Sequence, residues 1–181
     1  MRRRVYEFKK SLNVGELGED IIENYLLKLP NVLKVESVKD IKKYQEDDID
    51  FIVHFKNGKR YSVEVKCDSY KSGNLYYETK SCAEYNTVGC LEKTKADYIF
   101  YYFLNLKVLY IFKTNEFRSW VRDEIKKYFI NPQISKLTPK KVYNKSFNQI
   151  DTYTSLGYTI PLKYIEDRLN NTKIYKKYYN I

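Results

Sequence analysis

The chain is short of the residues that most often carry metal-sulfur and imidazole chemistry: three cysteines and one histidine in 181 residues. Cys67, Cys82 and Cys90 are odd in number and lack Cys-x-x-Cys spacing. That excludes a disulfide framework and a zinc knuckle, and it fits a reducing, intracellular (cytoplasmic) compartment. His54 lies inside an apolar run and reads as a strand residue. No apolar run reaches the roughly 20 residues of a membrane-spanning helix, and no signal peptide is expected. There is no Walker A phosphate loop, so an ATP-driven mechanism is not expected. There is also no internal repeat and no low-complexity linker, so one domain is expected over 1–181.

What is present in quantity is positive charge and aromatic surface. The net charge is +10, the pI about 9.3, and aromatics make up 17% of the chain, with 20 tyrosines. A polyanion is the natural partner of such a chain, and tyrosines suit stacking on bases. The abundance of Lys, Tyr, Asn and Ile also fits an AT-rich genome such as that of a virus or phage. Residues 126–181 hold eleven Lys/Arg against Asp151, Glu166 and Asp167, and read as the phosphate-facing side. Arg2-Arg3-Arg4 opens a basic arm, residues 1–10, which reads as a disordered terminus.

The organising stretch is Ile49-Asp50-Phe51-Ile52-Val53-His54-Phe55, a turn, then Tyr61-Ser62-Val63-Glu64-Val65-Lys66. Both runs are β-branched and aromatic, with Asn57-Gly58 between them. A two-residue turn pairs Phe51 with Glu64. A three-residue turn over Lys56, Asn57 and Gly58, with Gly58 left-handed, pairs Asp50 with Glu64 instead, and a one-residue slip flips every side chain. The longer turn gives one apolar face of Phe51, Val53, Val63 and Val65. The other face then carries Asp50, Glu64 and Lys66. Carboxylates about 5 Å apart across two strands are costly unless a cation lies between them. The pattern therefore points to a divalent-metal site with a lysine beside it.

Asp50 followed by Glu64-Val65-Lys66 resembles the PD-(D/E)xK signature of restriction-endonuclease-like nucleases, including phage-type endonucleases and Holliday-junction-resolvase-like members. Ile49 stands where the motif has proline. Gly15-Glu16-Leu17-Gly18-Glu19 is similar to the first helix of those enzymes, on which a glutamate approaches the metals. Glu19 matches that position, with Glu23 in reserve, and Glu16, Glu19 and Glu23 share one helical face. Asp48, in the acidic run Glu46-Asp47-Asp48, is a candidate assistant to Asp50. Gly73-Asn74 to Glu78 is similar to an element that follows the catalytic lysine in phage-type members, where the glutamate is structural. The resemblance covers about residues 14–115. It implies an α/β fold with a central mixed sheet flanked by helices, in the order αβββαβ, as a single nuclease domain. The expected core is about 11–130, with a basic extension over 131–181.

The spacing predicts a helix over 14–29 capped by Asn13, with the stripe Leu17, Ile21, Tyr25 and Leu29. It predicts strands over 32–38, 49–55, 61–66, 74–79, 96–104 and 108–112, and a polar loop over 39–48. A helix-like segment is expected over 82–95, and a helix over 115–129 capped by Thr114, with Phe117, Trp120, Val121, Ile125 and Tyr128 on one face. Gly157 to Leu162 reads as a strand that ends at a helix start. Trp120 reads as core.

The chemistry expected is metal-dependent phosphodiester hydrolysis. Mg²⁺ or Mn²⁺, one or two ions, would be held by Asp50, Glu64, the Val65 carbonyl and Glu19. Lys66 would orient or deprotonate the attacking water, or stabilise the transition state. Tyr70 and Tyr76 are candidate substrate contacts. The favoured substrate is DNA, cut internally, with structure-specific or junction-resolving action and a homodimer within the same resemblance. The alternatives are a non-catalytic nucleic-acid-binding protein on the same fold and a ribonuclease with the same metal site. A single histidine leaves little material for histidine-based nucleases of the HNH or GIY-YIG type. No membrane partner is expected.

Overall fold

The structure is a computed structural model that describes residues 5–146, 151–170 and 172–181, with side chains from residue 12 onward. In chain order, β1 (Val5–Glu7) leads into α1 (Phe8–Leu27), then β2 (Val32–Ser37), α2 (Lys42–Glu46), β3 (Phe51–Phe55) and β4 (Arg60–Asp68). Next come β5 (Asn74–Cys82), β6 (Thr87–Val88), α3 (Cys90–Lys93), β7 (Tyr98–Phe103), β8 (Val108–Lys113) and α4 (Thr114–Ile130). The chain then adds β9 (Thr138–Lys145), β10 (Thr152–Pro161), α5 (Leu162–Leu169) and β11 (Tyr175–Tyr179). These elements make a mixed α/β protein of two units. Unit one is Met1–Asn13, Ser72–Lys93 and Arg118–Thr172, and unit two is Val14–Lys71, Thr94–Phe117 and Lys173–Ile181. Among the described residues no helix is long and apolar enough to cross a membrane.

Unit two holds a six-stranded sheet in the order β11-β8-β7-β4-β3-β2. Its neighbours are antiparallel except β4 and β7, which run parallel, so the sheet is mixed. One face is packed by α1: Ile22 and Leu26 join Phe51, Val53, Val63 and Val65 in one buried cluster. The other face, toward β8 and β11, is aromatic, with Phe112 stacked on Phe117 at 3.9 Å between ring centroids and Tyr110 on Tyr175 at 6.1 Å. Phe100 to Phe103 are all buried, as befits a central strand covered on both sides.

Unit one holds a five-stranded sheet, β1-β9-β10-β5-β6. Leu75, Tyr77 and Ile160 are fully buried there, as are the α5 residues Leu162, Ile165 and Leu169. Two of its acids are held by hydrogen bonds within the unit. Glu92 accepts from the Tyr77 hydroxyl at 2.8 Å and from Arg122 Nε at 3.1 Å. Glu124 accepts from the Tyr164 hydroxyl at 2.6 Å and from Lys127 at 2.7 Å.

The hairpin between β3 and β4 takes the longer turn. The Phe55 N–H donates to the Lys59 carbonyl at 2.8 Å and the Gly58 N–H to the Phe55 carbonyl at 2.9 Å, leaving Lys56, Asn57 and Gly58 as the loop. Gly58 has φ +80°. The register that follows pairs Phe51 with Val63 and Val53 with Tyr61.

Several expectations are corrected. Residues 5–7 are strand and the helix starts at Phe8, so Asn13 is interior to α1 rather than its cap, and the basic arm shrinks to residues 1–4, which lie outside the described ones. No proline or glycine interrupts residues 5–14, so nothing stops the helix propagating toward its N-terminus. The buried stripe of α1 is one residue on from the expected one, with Gly18, Ile22 and Leu26 inside and Leu17 exposed. Lys42–Glu46 in the expected loop is a short helix. Only Cys90–Lys93 of the expected 82–95 helix is helical, because Asn86, left-handed at φ +54°, turns the chain back onto β5. Thr114 is the first residue of α4 rather than its cap, and its buried Oγ1 makes no hydrogen bond. Glu124 belongs to the buried face of α4, which the apolar pattern omits. Trp120 is half-buried near Tyr164, at 6.2 Å between ring centroids. The stretch 131–181 is strand and helix rather than a loose extension.

A Cβ at Gly58 meets nothing within 4 Å, so Gly58→Ala isolates the backbone cost of the left-handed turn. The expected loss is about 1 kcal/mol, read from urea unfolding. An unchanged midpoint would mean that the turn does not depend on that conformation.

Candidate active site

The turn brings the two acids together. Just before the Phe51–Val63 pair, the Asp50 N–H donates to the Val63 carbonyl at 2.9 Å, which ties Asp50 to β4 beside Glu64. Their carboxyl groups lie within hydrogen-bond reach of each other. Asp50 Oδ2 also accepts from the Val65 N–H at 2.7 Å. Glu64 is only 4% exposed. Lys66 Nζ stands 3.2 Å from Glu64 Oε1, with its side chain well exposed. Burial raises the Asp50 pKa above the ordinary value; the Val65 amide, Lys66 and Glu64 pull it back, and the charge of Asp48 adds to the rise. Val65 itself is buried, its side chain on the apolar face while its amide faces the acids.

The third expected acid arrives from α1. A Cβ on Gly18 would fall 2.3 Å from the Cys67 Cβ, so the glycine lets the helix backbone close on β4. Glu19 is the next residue. Burial raises its pKa, as do the charges of Asp50 and Glu16, while a hydrogen bond from Lys39 at 2.8 Å opposes the rise. Asp50 is thus electrostatically coupled to Glu19; Glu16 is exposed and Glu23 half-buried. Asp48 is left-handed, at φ +47°, and its carbonyl accepts the Thr94 hydroxyl at 2.6 Å.

Other expected contacts lie elsewhere. Tyr70 is exposed beyond β4, its N–H on Asp68 Oδ1 at 2.7 Å. Tyr76 and Glu78 are on β5 of unit one. His54 Nε2 lies 3.2 Å from Glu36 Oε2, a pairing within the strands. Lys39 was missed by the sequence reading. It sits in a polar stretch with no spacing that ties it to the helix, so no local signal marks it. Asp68 was also missed as a burial-raised acid on the same strand face as Glu64 and Lys66.

Among the described residues no group of three His, Cys, Asp or Glu side chains converges as a metal cage. The donor chemistry still suits a hard divalent ion. Asp50 and Glu64 bring carboxyl oxygens within hydrogen-bond reach of each other, with little solvent around Glu64, and Mg²⁺ or Mn²⁺ takes few protein oxygens and keeps its waters. Glu19 and the Val65 carbonyl are the remaining oxygens that such an ion would draw on. No protein-family model, no curated protein and no solved structure matches the chain.

Raised carboxyl pKa values have a sign for stability. Asp50 and Glu19 bind protons more tightly folded than unfolded. Their contribution is fully present below the ordinary carboxylate range, near pH 4, and is lost as pH rises through the raised values. Asp50→Asn should therefore raise the Tm of the metal-free protein at pH 7 and flatten its decline above pH 4. Any Tm rise produced by Mn²⁺ in the wild type should disappear in the variant. A lower Tm for Asp50→Asn at pH 7 would contradict this account of the pair.

Proposed function

We propose that the protein is a divalent-metal-dependent nuclease with a restriction-endonuclease-like core, hydrolysing phosphodiester bonds of DNA internally. One observation carries the reading: two carboxyl groups in contact across a hairpin, Asp50 and Glu64, with the Lys66 ammonium 3.2 Å from the second. A surface hairpin with ordinary polar alternation has no reason to bury Glu64 or to hold two acids together. The coupling of Glu19 to Asp50 supports it further. So does the succession of α1, an antiparallel meander β2-β3-β4, and a parallel β7 beside β4.

Asp50, Glu64, Glu19 and the Val65 carbonyl would hold the ion. Bound there, a divalent cation supplies charge neutralisation at phosphorus and an activated water. The Val65 N–H fixes the Asp50 carboxylate, so one of its oxygens keeps a constant direction. Lys66 reaches from the buried acid toward solvent, where its ammonium donates to a phosphate oxygen or holds the attacking water. Lys39 holds Glu19.

The net charge of +10 carries one second reading, a nucleic-acid-binding protein without catalysis. Cleavage of single-stranded, duplex and four-way-junction DNA, and of RNA, with Mg²⁺, Mn²⁺ or EDTA, separates the two. Cutting that requires metal should fall at least about 10³-fold in Asp50→Ala and in Lys66→Ala, with the fold retained by circular dichroism. The best-cut substrate identifies the activity and decides between DNA and RNA. Binding without cutting under any metal, equal in wild type and variants, would leave the binding protein.

A further inference from the structure

The sheet face that carries the acids continues beyond them. Ile52 is two residues past Asp50 on β3 and Ser62 two before Glu64 on β4, and the two are paired. They lie about 7 Å along the strands from the acidic pair. A cleft of about 240 Å³ opens here, its lining including Ile49 and Ile52, Tyr44 of α2, and Arg60, Ser62 and Asp97.

Two of the lining groups have unused capacity. The Ser62 N–H and hydroxyl both donate to Asp97 Oδ2, at 2.8 and 2.9 Å, and the Asp97 N–H donates back to Ser62 Oγ at 2.9 Å. This clasp fixes the carboxylate while Oδ1 accepts no hydrogen bond among the described residues. Arg60 is exposed and has no carboxylate partner among the described residues. A guanidinium not committed to an ion pair suits a phosphate, which it meets with two parallel N–H donors. A fixed carboxylate oxygen accepts from an amino group and repels a carbonyl.

We propose that this cleft is a nucleotide subsite for a single strand. Arg60 takes the phosphate, the base rests against Tyr44, and Asp97 Oδ1 accepts from the exocyclic amino group of the base. Cytosine, adenine and guanine carry that group; thymine and uracil present carbonyls instead. The subsite is independent of catalysis, but its place beside the cleaved bond rests on the nuclease reading.

The test is fluorescence anisotropy of labelled dC10, dT10, rC10 and rU10 with the full chain in EDTA, alongside cleavage of the same strands in Mn²⁺. Wild type should bind dC10 more tightly than dT10, and the ribose pair shows whether the preference carries to RNA. Arg60→Ala should weaken binding of both DNA strands about tenfold and reduce the slope of log K against log salt by about 0.7, one phosphate contact. Asp97→Asn should erase the preference for C over T. Because that change also touches the Ser62 clasp, its melting curve is recorded, and Arg60→Ala, an exposed position, tests the proposal without that complication. Lys56→Ala removes an exposed turn cation outside the cleft and should change affinity less than twofold. Isotherms unchanged in Arg60→Ala, or an equal loss in Lys56→Ala, would overturn the subsite. A wild type that cuts nothing while Arg60→Ala keeps its tenfold loss removes the nuclease reading and leaves the subsite. Cutting with unchanged isotherms does the reverse.

Discussion

Gly58, held at φ +80°, decides which face of the β3–β4 hairpin each side chain takes. With a two-residue turn Glu64 would face Phe51, Val53 and Ile22, where an unpaired carboxylate is most expensive, and Val63 and Val65 would turn out of the core. With the three-residue turn the same chain buries four apolar residues against α1 and gathers Asp50, Glu64 and Lys66 on the reverse face. The core and the candidate site are therefore two consequences of one register, and neither can shift without the other. Gly18 is the second constraint. The missing Cβ lets α1 approach Cys67, and the approach carries Glu19 to within electrostatic range of Asp50.

The acids are held against their own preference. Burial raises the pKa of Asp50, Glu19 and Asp68, so the fold carries negative charge that it would keep more easily as protonated acid. Two ammonium groups relieve part of this, Lys66 on Glu64 and Lys39 on Glu19. Around Asp50 the Val65 amide and the charge of Lys66 oppose the rise without cancelling it. A structural role would be served as well by an Asn or Gln on either strand, without the penalty. The divalent cation of the proposed function would offset that cost, since a hard ion takes its ligands from neighbouring carboxylates.

The hairpin, its register and the faces of β3 and β4 were legible because every signal for them is local: an Asn-Gly pair, alternation, and a turn of countable length. Most of unit one was not. β5 was recognised as a strand, but its partner is β10, some eighty residues on, with Tyr76 opposite Thr159 and Tyr77 opposite Tyr158. Nothing in either segment marks the other, since pairing at that separation is decided by packing rather than by turn chemistry. The segment 82–95 shows the same limit. Its composition tolerates a helix, yet Gly89 packs so tightly on the Glu78 backbone that a Cβ there would lie 2.3 Å from the Glu78 carbonyl oxygen. That tertiary approach overrides the local preference. In the site, Asp50, Glu64 and Lys66 could be found from spacing, whereas Lys39 and Asp97 could not, because each meets its partner across elements that only the fold brings together.

Charge is also distributed by fold rather than by sequence position. The eleven cations of residues 126–181 read as one basic side, but Lys173, Lys176 and Lys177 belong to unit two and the other eight to unit one. Counted by unit, the first has seventeen Lys/Arg against nine Asp/Glu, and the second sixteen against fourteen. The excess positive charge thus lies mostly in the unit that lacks the acidic pair. On the proposed function, such a division would have a physical logic. Phosphate must be attracted somewhere, since counterion release supplies most of the affinity for a nucleic acid strand. A carboxylate pair without bound metal repels the same phosphate. Lys127 fits this reading from the other direction. It is paired with Glu124 inside unit one, whereas Lys136, Lys140 and Lys141, on and beside β9, are all exposed.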